Sequence, residues 1–392
     1  MMHKETVLVL ETHARASVPI LESSAAMGLH VIAGSPRKYC CGFYSRATCE
    51  RLLYPSVDNE PDKCLAFLLD FVERRSISVL FPVGDVMTDL IARHQDEFSR
   101  HTNLFLPGYD IFVQGRNKIL TLKAAKRAGC PIPRTWYPGE EPLVKIADKV
   151  DYPILIKPAI SAGARGMTFC YSREELLEKF PEINNDFGES FVQEIIPRSG
   201  TQYKVDAISD RSGELLAAVV YAKLRYYPAS GGSSVLNRTE FRPDILNYAV
   251  KVMKELGWVG FCDFDFITDP RDGVTKLVEI NPRYPESYRA TVAAGVDMTK
   301  IMYQLAKGEK PKPRLEYKSG QYSRFLFGDI MWFLTTKENR WKTKPSFFSF
   351  FRSDTMYQLL RAKDSGPIFG YILENLAVLL NKRNRQSRLR LR

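Results

Sequence analysis

Glu279-Ile280-Asn281-Pro282-Arg283, with Asp265 fourteen residues upstream in Phe264-Asp265-Phe266, is the stretch whose reading decides the fold. Both halves lie in apolar runs, Gly260–Ile267 and Val274–Ile280. The segment between them, Thr268-Asp269-Pro270-Arg271-Asp272-Gly273, is rich in turn formers, so the pair reads as a β-hairpin. Strand alternation then sets Asp265 opposite Glu279, with Asn281 on the face of Glu279. Two like charges facing each other weaken a ladder unless a cation sits between them. Two carboxylates and an amide oxygen form a hard-oxygen set suited to Mg²⁺. Arg283 adds a cation on the same side, which suits a magnesium nucleotide whose terminal phosphate is to be transferred.

Upstream, Tyr152–Pro158 reads as a strand, Ser161–Met167 as a small-residue loop, and Thr168–Tyr171 as a returning strand. A loop of this kind can fold over phosphates, offering backbone N–H groups and Arg165. Lys157 stands just before it as a point charge. Further on come an apolar run, Ser190–Pro197, strands at Gln202–Ser209 and Glu214–Lys223, a Gly/Ser loop at Tyr226–Ser234, and a helix at Asp244–Leu256. Before all of these, residues 6–107 alternate strands with helices, which implies a parallel sheet covered on both faces. No GxGxxG follows its first strand, so no dinucleotide site is expected. The loops Glu11-Thr12-His13 and Pro82–Asp85 fall at the carboxyl ends of strands, where open α/β sheets bind ligands.

Taken in order, Lys118, Lys157, the glycine loop, Gln193-Glu194-Ile195-Ile196, Asp265 and Glu279-x-Asn281-Pro282-Arg283 resemble the ATP-grasp superfamily, in the style of its carbamoyl-phosphate-synthase and biotin-carboxylase branch. The resemblance spans roughly residues 5–310. It implies an α/β fold in four parts: a Rossmann-like domain over 1–108, an ATP-grasp N-terminal lobe with its lid over 109–190, a C-terminal lobe with the metal hairpin over 191–312, and a helical, basic extension over 313–392. It also implies roles. Lys118 and Lys157 would contact ATP phosphates beneath a mobile loop of Gly163, Ala164, Arg165, Gly166 and Met167. Gln193 would join the nucleotide site, and Glu194, Ile195 and Ile196 would line the adenine pocket through the hinge backbone, with Glu194 accepting from the adenine amino group. Gln202 would replace the usual acidic contact to ribose. Asp265, Glu279 and Asn281 would hold Mg²⁺ (or Mn²⁺), and Arg283 would stabilise the transferred phosphoryl group. Arg225 stands where related enzymes line the acceptor side, and reads equally as a substrate-binding or a surface cation.

The implied chemistry is activation of a carboxylate as its acyl phosphate, then attack by an amine or another nucleophile, releasing ADP. Such transfer asks mainly for positioning and charge neutralisation. No Ser-His-Asp or Cys-His set is evident. A carboxylase or carbamoyl phosphate-forming activity and a non-catalytic ATP-binding protein are the alternatives.

The net charge of +11 is unevenly spread. Residues 310–392 hold 18 Lys/Arg against 6 Asp/Glu, so the remainder carries −1. Seven scattered cysteines without CxxC spacing argue for a reducing compartment and against zinc or disulfides. Neither a signal peptide nor a bilayer-spanning run is read, so a cytoplasmic protein is expected. In the extension, Phe325–Leu334, Phe347–Phe351, the helical stretch Ile368–Leu380 and the basic run from Lys382 suggest contact with an anionic membrane surface. Packing on the body and nucleic-acid binding are the other readings. A lipid- or glycan-linked acceptor follows only from the membrane reading, and an oligomer is compatible with all of them.

Overall fold

The computed structural model describes residues 4–161, 165–197, 199–228 and 232–380. The first unit runs β1 (Thr6–Val9), α1 (Ser17–Ala26), β2 (His30–Ser35), β3 (Glu50–Leu53), α2 (Pro61–Arg75), β4 (Ile77–Phe81), α3 (Asp85–Arg93) and α4 (Gln95–Phe98). Its four strands form a parallel sheet ordered β3-β2-β1-β4, as the βαβ pattern requires. The strand β3 is an addition to the sequence reading, because Glu-Arg-Leu-Leu has no strand-like alternation of its own.

Helices α5 (Tyr109–Arg116) and α6 (Lys118–Arg127) follow. Asn117 starts α6 by accepting hydrogen bonds from the N–H groups of Ile119 and Leu120 at 2.9 and 3.2 Å. A small antiparallel sheet, β5-β8-β6-β7, then forms from β5 (Thr135–Trp136), β6 (Ile154–Pro158), β7 (Thr168–Cys170) and β8 (Ser190–Glu194). Helices α7 (Leu143–Lys149) and α8 (Arg173–Phe187) cover it, with Ser172 capping α8.

The second large sheet contains β9 (Gln202–Ser209), β10 (Leu215–Tyr227), β11 (Ser233–Thr239), β12 (Gly260–Thr268) and β13 (Thr275–Asn281). Helix α9 (Pro243–Leu256) starts at a proline and ends at Gly257 in the left-handed region, and α10 (Arg289–Ala293) and α11 (Met298–Ala306) follow the sheet. The extension supplies α12 (Leu326–Thr335) and α13 (Gly366–Leu380), as expected. It also adds two strands, β14 (Tyr322–Arg324) and β15 (Thr355–Tyr357), giving the order β13-β12-β9-β10-β11-β14-β15. The loop expected at Tyr226–Ser234 is shorter than that, because Tyr226 and Tyr227 pair with Ser234 and Ser233.

Both faces of this sheet are covered, so its strands read as continuous apolar runs. Val205, Ala207, Ala218, Val220, Cys262 and Phe264 point to α5, α6 and α9. Ile208, Val219, Tyr221 and Phe261 point to the first parallel unit. On this second face, toward one end, the side chains turn from apolar to charged.

Candidate functional site

Strand alternation collects the charge. Lys204 and Asp206 on β9, Lys223 on β10, Asp263 and Asp265 on β12, and Glu279 and Asn281 on β13 share the face turned to the parallel unit. Register sets Asp265 across from Glu279 and Asp263 across from Asn281. Between Asp265 and Phe266 the register slips, so β13 has one residue in excess, Val278. Such a bulge re-aims side chains beside a site.

Asp265 is held by two lysines. Lys223 reaches its Oδ1 at 2.6 Å and Lys204 its Oδ2 at 2.8 Å, while Asn281 Nδ2 donates to Oδ2 at 3.0 Å. Burial would push this carboxyl up, but the lysines reverse that and hold it well below the usual carboxylate range. Asp206 goes the other way. Burial and the adjacent Asp263, to which it is hydrogen-bonded, raise it strongly, and it accepts from Tyr221 Oη at 3.1 Å.

Glu279 is more loosely held. Its ion-pair partner is Lys118 Nζ at 3.5 Å, and Lys118 itself donates to the Ser161 carbonyl at 2.8 Å. Lys157 is buried, donates to Gln193 Oε1 at 3.3 Å, and is lowered to about 8 by burial, which the nearby Glu279 partly offsets. Arg283 donates from Nε to both oxygens of Asp85 at 3.1 Å and approaches Asn281 Oδ1 at 3.5 Å. Asp85 begins α3, so this pair ties the hairpin to the parallel unit, as does Arg15 with Glu286 at 2.9 Å.

One residue before Asp85, the Gly84 N–H donates to Glu11 Oε2 at 2.6 Å. Glu11 has φ 54°, a left-handed conformation unusual for a residue with a side chain. Burial raises its carboxyl to about 7. Strained, half-charged groups at strand ends gather at functional sites.

Lys118, Lys157, Gln193, Asp265, Glu279, Asn281 and Arg283 are thus brought together or linked through one another. Three expectations meet a different geometry, Asp265 among them. The Glu194 carboxylate is occupied by Arg134 (N at 2.8 Å, Nε at 3.1 Å), Arg271 Nη2 at 2.9 Å and Lys276 at 3.5 Å. Its side chain pins the hairpin turn, which leaves only the backbone here for the contact the resemblance implies. Ile195 and Ile196 lie half-buried just past β8, and Gln202 opens β9. Arg225 is directed away from the site and is buried on Asp329 at 3.0 Å, under the ring of Trp332 at 4.5 Å. A register shift on β10 between Lys223 and Arg225 separates the two cations. Asp265 is the third, since its oxygens meet lysines, leaving Glu279 and the Asn281 amide oxygen as the more accessible donors. Among the described residues no three His, Cys, Asp or Glu side chains gather as a metal cluster. On the lid, Arg165 is exposed and Gly166 and Met167 are described, whereas Gly163 and Ala164 lie outside the described residues. Lys204, Asp206 and Asp263 were not singled out as site residues, whereas Glu11 and Asp85 lie in the two strand-end loops read as places where a ligand binds. Period-two alternation applied to β9 and β12 would have found the first three.

Against known proteins, residues 116–287 match the family model of the ATP-grasp domain. This chain carries an ATP-grasp domain. It is 25% identical over 260 residues to a D-aspartate ligase of Enterococcus faecium, covering 62% of each protein. The biotin carboxylase of Campylobacter jejuni, solved as a β,γ-ATP complex, superposes with a TM-score of 0.69 at 15% identity, over 81% of this chain and 74% of that one. An L-amino acid ligase of Bacillus licheniformis superposes with a TM-score of 0.58 at 13% identity, over 78% and 75%. At these identities the structural likeness is one of fold. The chain spans 62% of the D-aspartate ligase and 36% of the carbamoyl phosphate synthase section of Methanocaldococcus jannaschii, which it also resembles.

Proposed function

We propose that this protein is a magnesium- and ATP-dependent carboxylate–amine ligase that forms an acyl phosphate and releases ADP. The observation that carries the reading is the meeting of Lys118, Lys157, Glu279, Asn281 and Arg283 at one end of the β12–β13 hairpin. The residues fit the group. Glu279 is partly exposed, its one ion pair is longer than a hydrogen bond, and the amide oxygen of Asn281 has only a 3.5 Å contact. Both can face a hard cation. Asp265 would join them only if a lysine let go.

Bound Mg-ATP would supply the phosphoryl group that turns a carboxylate into a good electrophile. The chain's own residues supply positioning and charge. Lys118 and Lys157 neutralise phosphate oxygens, and Lys157, half-charged near pH 8 in the free protein, gains a full charge beside an anion. Arg283, held on Asp85, presents its remaining N–H groups to the transferred group. Lys204 and Lys223 lie on the same face and fit the carboxylate being activated. Glu11, at the strand ends behind Gly84 and Asp85, suits a cationic amine. In its finer form the reading places the enzyme at the inner face of a membrane, on a lipid- or glycan-linked intermediate.

The test is direct. Purified protein is incubated with Mg-ATP, hydroxylamine and a panel of carboxylic acids that includes amino acids, and hydroxamate and nucleotide products are measured. Acid-dependent hydroxamate with ADP is expected. AMP release would remove the acyl-phosphate mechanism. Acid-independent, bicarbonate-stimulated ADP release would support the carboxylase or carbamoyl phosphate reading. No nucleotide turnover across the panel would leave an ATP-binding protein.

A further inference from the structure

Helix α13 packs Ile368 and Tyr371 on the cluster around Phe325 and Trp332 but leaves a second apolar face outside. Its buried residues are Pro367, Gly370 and Glu374. A Cβ on Gly370 would come within 2.4 Å of the Cys40 carbonyl oxygen, so the helix lies flush against the parallel unit. Glu374 pairs there with Arg37. The opposite face carries Phe369, Ile372, Leu376, Leu379 and Leu380, with Leu376 49%, Leu379 62% and Leu380 84% exposed. At about 100° per residue these five positions fall within an arc of roughly 100°, opposite the buried three. Helix α12 likewise exposes apolar residues: Gly328, Asp329 and Trp332 are buried, while Ile330, Met331 and Leu334 face out. Ring contacts of Tyr371 with Phe327 join the two helices. An aliphatic arc this open on a charged protein marks a contact surface.

We propose that the outward face of α13 docks this protein on an anionic lipid surface. Charge selects the occupant. From residue 375 to residue 392 the sequence has six basic residues (Lys382, Arg383, Arg385, Arg388, Arg390 and Arg392) and no acidic one. An apolar helical arc leading into such a run matches the two components of interfacial binding, burial among acyl chains and attraction to anionic headgroups. Nucleic acid would engage the basic run and leave the leucines in water. Among the described residues no helix is long and apolar enough to cross a membrane, so the contact is a surface one. The inference is independent of the ligase chemistry and deepens only the membrane placement proposed above.

Sedimentation of the full chain with vesicles tests it, using equimolar phosphatidylglycerol and phosphatidylcholine against phosphatidylcholine alone. The expected result is co-sedimentation with the anionic vesicles, weakened by salt. The double variant Leu376→Glu/Leu379→Glu changes exposed positions only, and circular dichroism checks that it stays folded. It should lower the partition coefficient at least about tenfold. Absence of binding by the wild type, equal binding to both vesicles, or undiminished binding by the folded double variant each overturns the proposal. So does a dimer by light scattering that the double variant dissolves. Vesicle binding without hydroxamate formation would sink the ligase reading alone, and the reverse result would sink docking alone.

Discussion

Two buried charge clusters lie on the same large sheet and are built to opposite ends. In the extension, Asp329 is fully buried and accepts from Arg225 at 3.0 Å and from Arg324 Nε at 2.6 Å. The spare N–H groups of those arginines go to Thr343, the carbonyls of Pro345, Phe347 and Ser349, and the faces of Trp332 and Phe350. At the hairpin, by contrast, among the described residues Glu279 has only a long ion pair and the Asn281 amide oxygen only a 3.5 Å contact. Fixed geometry with every group satisfied holds two elements together. Geometry with groups left over is what a ligand completes.

The sharpest way to break this contrast is Asp329→Ala. It would leave Arg225 and Arg324 buried without their counter-charge, at a cost of about 3–5 kcal/mol. The urea midpoint should fall accordingly, with the extension's signal lost first if unfolding is not two-state. An unchanged midpoint would show that the cluster does not tie α12 to the sheet. Glu279→Gln is the counterpart at the hairpin. Substrate-dependent ADP release should fall by about 100- to 1000-fold, the scale seen when one preorganised charge-stabilising group is removed. Stability should move by no more than ~0.5 kcal/mol, because Glu279 has no short bond to lose. A large stability loss with retained turnover would reverse the assignment of the two clusters.

A pH series on Glu11→Gln sharpens the same contrast in the parallel unit. Glu11 is raised from 4.5 to about 7, chiefly by burial. Between those values the folded protein binds the extra proton, so its stability falls as pH rises. The deficit is absent below about pH 4.5, complete above about pH 7, and amounts to at most ~3 kcal/mol. Glutamine carries no charge and should therefore match the wild type in acid and exceed it at pH 8. Parallel thermal-melt profiles for the two proteins would show that the carboxyl is not stressed in the fold.

How far the sequence reveals these clusters depends on how local the cause is. The β12–β13 pairing was readable because alternation and a six-residue turn lie within one short segment, and register bears out Asp265 opposite Glu279. The α6 start at Asn117 is local in the same way, since the cap accepts from N–H groups two and three residues on. Arg225 was not. Lys223 and Arg225 differ by two positions and would share a face on a regular strand, but the register shift between them sends one to Asp265 and the other to Asp329. Nothing in Lys-Leu-Arg announces that shift. The partners of Glu194 were hidden for a related reason. Arg134 and Arg271 are distant in sequence and converge only once the small sheet meets the hairpin turn. Strands β14 and β15 are three residues each and gain their stability from the sheet they join, so short runs such as Tyr-Ser-Arg carry no signal alone.

The smallest expected effect tests the rim above the site. Gly166 has φ +72°, and a Cβ there would lie 2.6 Å from Pro158 Cγ and 2.9 Å from Phe187 Cγ. Pro158 ends the strand that carries Lys157, and Phe187 ends α8, so the glycine lets the loop fold back between them. Gly166→Ala should cost about 1 kcal/mol or somewhat more from the left-handed backbone and the contact together. The contacted atoms belong to Pro158 and Phe187, the last residues of their elements, so the body can stay intact. The loss should therefore fall more on Mg-ATP affinity, measured by isothermal titration, than on the urea midpoint. Equal loss in both would mean that the turn is as fixed as the Asp329 cluster. No loss in either would mean that the loop takes no part in holding phosphates. A drop in affinity with the midpoint nearly unmoved is the pattern of a segment whose conformation matters only when a ligand lies beneath it.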